Sequence, residues 1–340
     1  MTSPLKGKVA LVTGATRGIG KGIALALSES GATVYITGRS LNAESATDPI
    51  SGSLEDTQTA AGQLAGTIIA CQIDHSKDNQ VQQLFQQIKT EQNGQLDLLV
   101  NNVYGGVRAL REQNGKPFWK ADASLWDACN NVGLRSHYIA SRLAAQMMVP
   151  RKQGLIITIS SWGGLAPIFG VAYGTGKSAC DRLAAEMALE LKPHNIASIA
   201  LWPGIVGTEH ISELIKENIE EINAQTTNTN STTDPQLTPQ LTMMSSQFNW
   251  ETPTFTGRVI AALLGEPNIM RFTGKLQIVA ELAAKYKIQD LDDAQPASLR
   301  SLKFLLPTAI PVLQNYTAII PNILIPWWLM LLTALRSPQK

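Results

Sequence analysis

The chain has 340 residues, and its 28 Lys and Arg side chains nearly balance its 27 Asp and Glu side chains, for a formal charge of +1. This balance gives no electrostatic reason to expect nucleic acid as a partner. Hydrophobic residues make up 44% of the chain, which is enough to build a substantial core and excludes a wholly disordered protein.

Short β-rich segments alternate with segments of helical periodicity along most of the chain. Nearly continuous apolar runs, such as residues 155–160, are typical of strands covered on both faces. The alternation predicts βαβ units and therefore an α/β fold, a Rossmann-like doubly wound parallel sheet with helices on both faces. Strands are predicted over 8–13, 33–37, 67–73, 96–100, 155–160, 196–202 and 275–279, and helices over 20–30, 81–90, 125–148 and 172–191.

Three segments interrupt this alternation. Residues 40–62 are small and polar, which predicts a long surface connection. Residues 209–255 include a run rich in Thr, Asn and Gln and are expected to form a lid over a site or a mobile insertion. The predicted organisation is a single domain over 1–300, followed by an apolar, helical C-terminal extension over 301–340.

The chain carries three cysteines and four histidines. An odd cysteine count without a CxxC pair argues against a disulfide scaffold and a structural zinc site, and the histidines lack metal-ligand spacing. We therefore expect no metal. The first residues enter a strand without the basic and apolar regions of a signal peptide, which predicts a cytoplasmic protein.

A glycine-rich turn lies between the first predicted strand and the first predicted helix. Glycines permit a tight turn and a close approach of the backbone to a pyrophosphate, while the helix N-terminus offers N–H donors. Because the turn follows a strand and opens a helix, it predicts a dinucleotide site rather than a structural turn. The residues assigned to this site are Gly14, Arg17, Gly18, Ile19 and Gly20.

Tyr173 and Lys177 form a YxxxK motif in a predicted helix, so their side chains lie on one face. A free tyrosine is a poor proton donor at neutral pH, and a nearby cation favours the phenolate form. Ser161 directly follows the strand predicted over 155–160, at the carboxyl edge of the sheet where such folds bind ligands. A strand shifted by one residue would bring Ser160 there instead, and a surface Tyr–Lys pair is the alternative without function.

The GxxxGxG turn, Ser161 and the YxxxK motif together resemble the short-chain dehydrogenase/reductase family, over residues 5–210 and 256–280. The resemblance implies hydride transfer between a nicotinamide coenzyme and a carbonyl carbon. Tyr173 would exchange a proton with the substrate oxygen, and Ser161 would hydrogen-bond the same oxygen, so both would bind substrate. Tyr173 and Lys177 would also contact the coenzyme, and Lys177 would bind the nicotinamide ribose.

The same resemblance implies further coenzyme contacts. Asp74 would contact the adenine, and Asn101 would line the coenzyme cleft. The PGIVGT segment would hold the nicotinamide carboxamide. The residues assigned in that segment are Pro203, Gly204, Ile205 and Thr208.

The coenzyme is expected to be NADP(H) rather than NAD(H). Family members that prefer NAD carry an acid near the position of Gly38, and this chain has none there. Arg39, and Arg17 in the glycine turn, can pair with a 2′-phosphate. The alternative is that Arg39 stacks on the adenine and discriminates little.

Two positions depart from the family pattern. Val103 and Tyr104 replace an Ala-Gly pair, and Gly133 stands where the family has an Asn that supports a proton relay. The relay would then need another group or water alone. The function that would follow from a weakened relay is an NADP(H)-binding sensor or scaffold with weak or no catalysis.

A closer resemblance, to a subgroup of NADP-linked carbonyl reductases, rests on the blocks WDACNNVGLRSHY, SIALWPGIV and YGTGKSACDRLAAE. These enzymes act on lipophilic ketones, including steroids, which implies a small lipophilic carbonyl substrate. A homo-oligomer is left open. The aromatic residues expected near an apolar pocket are Tyr104, Trp162, Phe169 and Trp202.

Residues 304–335 contain no charged side chain. A membrane-spanning helix needs about 20 mostly apolar residues, but Pro321 and Pro326 interrupt this segment. A short segment lying peripherally in the membrane interface fits better, with Trp327 and Trp328 at the level of the headgroups. Packing on its own domain or on a second subunit is the remaining alternative.

Overall fold

The computed structural model describes residues 3–46, 49–113, 116–213, 215–216 and 248–335. The strands are β1 (Val9–Val12), β2 (Thr33–Gly38), β3 (Thr67–Gln72), β4 (Leu98–Asn101), β5 (Gly154–Ile159), β6 (Ile196–Trp202), β7 (Ile205–Val206), β8 (Trp250–Glu251) and β9 (Leu276–Ile278). Seven parallel strands form one sheet in the order β3-β2-β1-β4-β5-β6-β9, and β7 pairs with β8 separately. The predicted doubly wound parallel sheet is confirmed.

Helices lie on both faces of this sheet. Helix side chains and alternate strand residues form two separate cores, one on each face. The helices are α1 (Gly18–Glu29), α2 (Leu54–Ala60), α3 (Asp78–Glu91), α4 (Val107–Glu112), α5 (Ser124–Asn130), α6 (Ser136–Met148), α7 (Gly170–Leu191), α8 (Pro253–Leu264), α9 (Val279–Tyr286), α10 (Leu302–Ala309) and α11 (Trp327–Leu335).

The central strands supply side chains to two separate cores. In β1, Ala10 and Val12 pack into the core that contains α1 and α8, whereas Val9 and Leu11 pack into the core that contains α3 and α6. All four β1 residues are buried. Covering on both faces explains why these strands read as continuous apolar runs.

The structure adds helices that were not predicted, such as α4 and α8, and it also differs from two of the predicted segments. The segment 40–62, predicted as a surface connection, contains α2, whose first turn is capped by Ser53 accepting from Asp56 N–H at 3.0 Å. The helix predicted over 125–148 is broken by a π-helical turn, Asn131–Arg135, that separates α5 from α6. Gly133 in this turn has a φ of +149°, which is outside the helical range.

The C-terminal extension packs on the domain through one of its sides. Arg300 donates to Glu281 Oε1 at 2.6 Å and to the carbonyl of Ile325 at 2.7 Å, which ties the extension to α9. Trp327 contacts Trp202, with ring centroids 6.1 Å apart. None of the helices in the described part of the chain has the length and apolar character needed to cross a membrane.

The lid predicted over 209–255 falls largely outside the described residues. Its described parts are 209–213, 215–216 and 248–255, and β8 lies in the last of these. The lid therefore stays a prediction.

Candidate active site

The glycine turn brings the N-terminus of α1 against the end of β4. Gly14 has a φ of +69°, and a Cβ atom there would lie 2.7 Å from Val103 Cα, so a side chain does not fit. The side-chain amide of Asn102 donates to the carbonyls of Thr13 and Gly14 at 2.9 and 2.8 Å. Asn102, which was not among the predicted site residues, therefore fixes the turn that precedes Gly18.

An acidic side chain lies at the N-terminus of α1, where a pyrophosphate is predicted to bind. Gly18 N–H donates to Glu209 Oε2 at 2.9 Å, and a Cβ atom on Gly18 would lie 3.2 Å from Thr208 Cγ2. Sequence analysis missed Glu209, although it directly follows Thr208. The contact shows that this N–H is oriented toward an anion, for which a phosphate and Glu209 would compete.

Glu209→Gln is therefore expected to tighten binding of the predicted dinucleotide, tested as NADPH, roughly 2- to 5-fold, because a neutral amide competes less well for the Gly18 N–H and does not repel phosphate. The Kd is measured by titration of NADPH fluorescence. Glu213→Gln, in the same segment, is the matched control and should bind as the wild type does. Weaker binding by Glu209→Gln would show that the carboxylate supports the coenzyme site instead.

The two arginines assigned to the 2′-phosphate have different surroundings. Arg17 donates from its guanidinium to the carbonyls of residues 50–52 at 2.7 to 3.1 Å, which ties it to the loop before α2. Arg39 is exposed directly after β2. Although partial burial acts in the opposite sense, hydrogen bonds from Ser76 and the charge of Arg39 lower the pKa of Asp74. Arg39 and the Asp74 carboxylate thus lie at one edge of the sheet.

The PGIVGT segment is held by β8. Gly204 N–H donates to Glu251 Oε2 at 2.9 Å, and Gly207 N–H donates to the main-chain carbonyl of Glu251 at 3.0 Å. Glu251 is 2% exposed, and Oε1 has no hydrogen-bond partner among the described residues. Burial raises the pKa of Glu251 to about 8, and the charge of Asp290 acts in the same direction. The hydrogen bond from Gly204 acts in the opposite direction. A mostly neutral glutamic acid therefore supports this segment at pH 7.

Ser161, Tyr173 and Lys177 meet beside the carboxyl end of β5. Ser161 Oγ accepts from Gly163 N–H at 3.0 Å. A Cβ atom on Gly163 would lie 2.6 Å from Tyr173 Cε1 and 3.4 Å from Ser161 Oγ, so these two side chains border the same space. Lys177 Nζ donates to the carbonyl of Ile159 at 3.2 Å and lies 5.8 Å from the centroid of the Tyr173 ring.

The neighbouring polar residues have structural contacts. Ser160 is buried and its hydroxyl donates to the carbonyl of Lys177 at 3.1 Å, so Ser161 is the serine on the open side. Asn101 is fully buried, and its amide donates to Ser141 Oγ at 2.8 Å. Asn101 thus ties β4 to α6, whereas Asn102 contacts the glycine turn.

The aromatic residues near the site divide into two groups. Phe169 is 39% exposed and packs edge-on against Tyr173, with centroids 5.3 Å apart. Trp162 contacts Trp202 at 6.1 Å, and Trp202 is 2% exposed. Phe169 therefore borders Tyr173 at the surface, while Trp202 belongs to the core beneath the C-terminal extension.

Within the described ranges, no three His, Cys, Asp or Glu side chains are grouped so that they could hold a metal ion. Burial lowers the pKa of His75 to about 4 and the pKa of His137 to about 3. His75 Nε2 is hydrogen-bonded to Thr37 Oγ1 at 2.7 Å, and His137 Nε2 to the carbonyl of Val103 at 3.0 Å. Both histidines are therefore neutral parts of the framework at pH 7.

Comparison with known sequences finds similarity over nearly the whole chain. The sequence model of the family described as short chain dehydrogenase matches residues 8–219. Dehydrogenase/reductase SDR family member 1 is 41% identical in Mus musculus and 40% identical in Homo sapiens, over 334 residues. Each alignment covers 98% of this chain and 98% of the relative.

Solved structures of short-chain dehydrogenases and oxidoreductases are similar to this chain in fold. A hydroxysteroid dehydrogenase from Escherichia coli is 25% identical with a TM-score of 0.59, and the match covers 81% of this chain and 96% of that chain. A metagenomic short-chain oxidoreductase in complex with NADP is 30% identical with a TM-score of 0.50, covering 59% of this chain and 84% of that chain.

Proposed function

Because the chain belongs to the short-chain dehydrogenase/reductase family, as its motifs predict, we propose that it is an NADP(H)-dependent carbonyl reductase or alcohol dehydrogenase. Its substrate would be a lipophilic ketone, aldehyde or secondary alcohol, with steroid-like compounds as one class. The observation that carries the proposal is the grouping of Ser161, Tyr173 and Lys177 beside β5, at the sheet edge that also holds the glycine turn.

The residues at this edge fit a nicotinamide dinucleotide. The turn at Gly14 leaves no space for a side chain, and the Glu209 carboxylate already binds a backbone N–H as a phosphate oxygen would. The α1 N-terminus would hold the pyrophosphate, Lys177 the nicotinamide ribose, and the segment that begins at Pro203 the carboxamide. When bound, the coenzyme supplies or accepts the hydride.

The chain's own residues would manage the proton. In reduction, the Tyr173 hydroxyl donates its proton to the substrate oxygen while Ser161 hydrogen-bonds that oxygen. The positive charge of Lys177 then stabilises the phenolate that remains. Alcohol oxidation reverses these steps, with Tyr173 as the base.

We propose that NADPH is preferred because Arg39 is exposed after β2 and no acid stands at Gly38. Arg39→Ala is expected to lower kcat/KM for NADPH by roughly 10- to 100-fold, with little effect on NADH, because only NADPH carries the 2′-phosphate. Both constants are measured by coenzyme absorbance, with Arg182→Ala, an exposed arginine on α7, as the matched control. A wild-type NADPH-to-NADH ratio of kcat/KM near or below one would contradict the preference.

The catalytic proposal is tested by following NADPH consumption with a panel of ketones, aldehydes and quinones, including steroid ketones. We expect turnover with the lipophilic members. Tight NADPH binding without turnover of any member would instead support the sensor or scaffold function.

We also propose that the C-terminal extension contacts a membrane peripherally. Its outer side exposes large apolar side chains, and residues 304–335 carry no charge. Trp328 is 63% exposed, whereas Trp327 packs inward on Trp202. The interface contact predicted for both tryptophans therefore falls to Trp328 and its exposed neighbours.

The combined variant Ile319→Asp, Ile323→Asp, Trp328→Asp is expected to lose flotation with phosphatidylcholine liposomes that the wild type shows, with its activity unchanged. The three side chains are exposed, so their replacement leaves the packed side of the extension intact. Leu189→Asp, which changes an exposed leucine on α7, is the control and should still float. Wild-type protein that never floats would refute the membrane contact.

A further inference from the structure

The two departures from the family pattern contact each other in the structure. Tyr104 lies with its ring against Gly133, and a Cβ atom on Gly133 would be only 2.7 Å from Tyr104 Cδ2. Gly133 also has a φ of +149°, which L side chains rarely adopt. The Tyr104 ring therefore fills the space that a side chain at position 133 would need.

The same ring borders the catalytic side chains. Its centroid lies 5.2 Å from Lys177 Nζ and 5.8 Å from the centroid of the Tyr173 ring, at an interplanar angle of 86°. The ammonium of Lys177 thus lies over the rings of two tyrosines, and both distances are within the range of cation–π attraction.

Lys177 needs such a contact because it is 9% exposed. A buried ammonium is costly unless neighbouring groups compensate for the lost water. Among the residues that the structure describes, Lys177 forms no ion pair within 4 Å, and its one hydrogen bond goes to the carbonyl of Ile159 at 3.2 Å. The titratable side chains that interact with its charge are Asp181, whose pKa burial raises to about 6 against the attraction of Lys177, and the buried His137, Cys129 and Cys180. The negative face of an aromatic ring supplies attraction without competing for the ammonium protons.

We propose that Tyr104 is a positioning residue, whose ring holds the Lys177 ammonium beside Tyr173 in the space that the family gives to an Asn at position 133. This inference rests on the proposed function, because Lys177 matters through the reaction of Tyr173. The ring, rather than the hydroxyl, does the positioning. The Tyr104 hydroxyl lies beside the Cys129 thiol and makes no hydrogen bond to Lys177.

Tyr104 is not itself an alternative proton donor. Burial, with the adjacent Cys129 thiol, raises the pKa of Tyr104 well above the ordinary tyrosine range. Its phenol therefore stays protonated throughout the working pH range, and its effect on the reaction is exerted through Lys177.

The test compares Tyr104→Phe with a variant carrying pentafluorophenylalanine at position 104. Both keep the ring and lack the hydroxyl, so both lose its contact with Cys129 equally, but fluorination reverses the charge distribution of the ring face. We expect Tyr104→Phe to retain kcat within twofold of the wild type. The fluorinated variant should lose roughly 2- to 30-fold in kcat/KM for ketone reduction.

A pH profile separates this role from a merely structural one. A displaced Lys177 stabilises the phenolate of Tyr173 less well, so half-maximal rate of alcohol oxidation should move to higher pH in the fluorinated variant and stay in place in Tyr104→Phe. Equal rates and equal profiles in the two variants would overturn the inference while wild-type turnover leaves the proposed function standing. Inactive wild-type protein would refute the proposed function itself.

The contact with Gly133 gives a second, independent measurement. Gly133→Asn restores the residue of the family pattern, but its side chain would overlap the Tyr104 ring, so we expect it to lower both melting temperature and kcat. In a Tyr104→Leu background the further loss in melting temperature should be smaller, because the overlap is relieved. An equal fall in melting temperature in both backgrounds would refute the inference that the Tyr104 ring fills the space beside Gly133. A Gly133→Asn enzyme faster than the wild type would refute it as well.

Discussion

Tyr173→Phe is expected to lower kcat for carbonyl reduction by roughly 10²- to 10⁴-fold, the contribution typical of a general acid. The substitution removes only the hydroxyl. The edge-on contacts of the ring with Tyr104 and Phe169 remain, at centroid distances of 5.8 and 5.3 Å. Folding and NADPH affinity should therefore stay close to those of the wild type.

Steady-state kinetics and an NADPH titration on the same preparation separate the loss of proton transfer from a loss of binding. Tyr138→Phe changes an exposed tyrosine on α6 and serves as the matched control, with no expected change in kcat. If Tyr173→Phe kept more than half of the wild-type kcat, Tyr173 would not be the acid.

We expect the unfolding free energy of the wild type to fall between about pH 5 and pH 9 because of Glu251. In Glu251→Gln this fall should be absent. Burial raises the pKa of Glu251 to about 8 in the folded protein, whereas an unfolded glutamic acid titrates near its ordinary value of 4.5. The folded state thus holds a proton that the unfolded state releases. Its stabilising contribution is fully present below pH 4.5 and is lost as pH rises through about 8.

Each unit of difference between the folded and unfolded pKa of Glu251 corresponds to about 1.4 kcal/mol. The unfolding free energy of the wild type should therefore fall by several kcal/mol between about pH 5 and pH 9. Glutamine stays neutral and can still accept from Gly204 N–H, so its melting temperature should exceed that of the wild type at pH 9. The expected difference there is roughly 5 °C, with near equality at pH 5. Melting curves from pH 5 to 9 measure it, with the exposed Glu190→Gln as control. Parallel pH curves for wild type and Glu251→Gln would contradict the account.

The sheet was predictable because its strands carry a local signal. Strands with helices on both faces are apolar along their length, and the strand predicted over 196–202 is β6 with the same bounds. The short helix α2 was missed because it is mostly polar and its clearest local sign is the cap formed by Ser53 and Asp56. The break near Gly133 was missed because a single glycine in a helical pattern does not by itself mark a break, and its contact with Tyr104 joins residues remote in sequence.

The site shows the same division between local and tertiary signals. The glycine turn and the YxxxK pair are local patterns, and the structure brings the predicted Ser161, Tyr173 and Lys177 together. Glu209 and Glu251 act through contacts with Gly18 and Gly204 in other segments, which no spacing rule encodes. Their roles become visible only when the segments are packed.

The central claim is that this chain transfers hydride from NADPH to a carbonyl carbon while Tyr173 supplies the proton. The most direct measurement uses NADPH with deuterium at both C4 positions of the nicotinamide, the panel of lipophilic ketones, and mass spectrometry of the alcohol. The account predicts one deuterium on the carbinol carbon with the wild type and almost no alcohol with Tyr173→Phe. Bound NADPH with no deuterated alcohol from any ketone of the panel would contradict it.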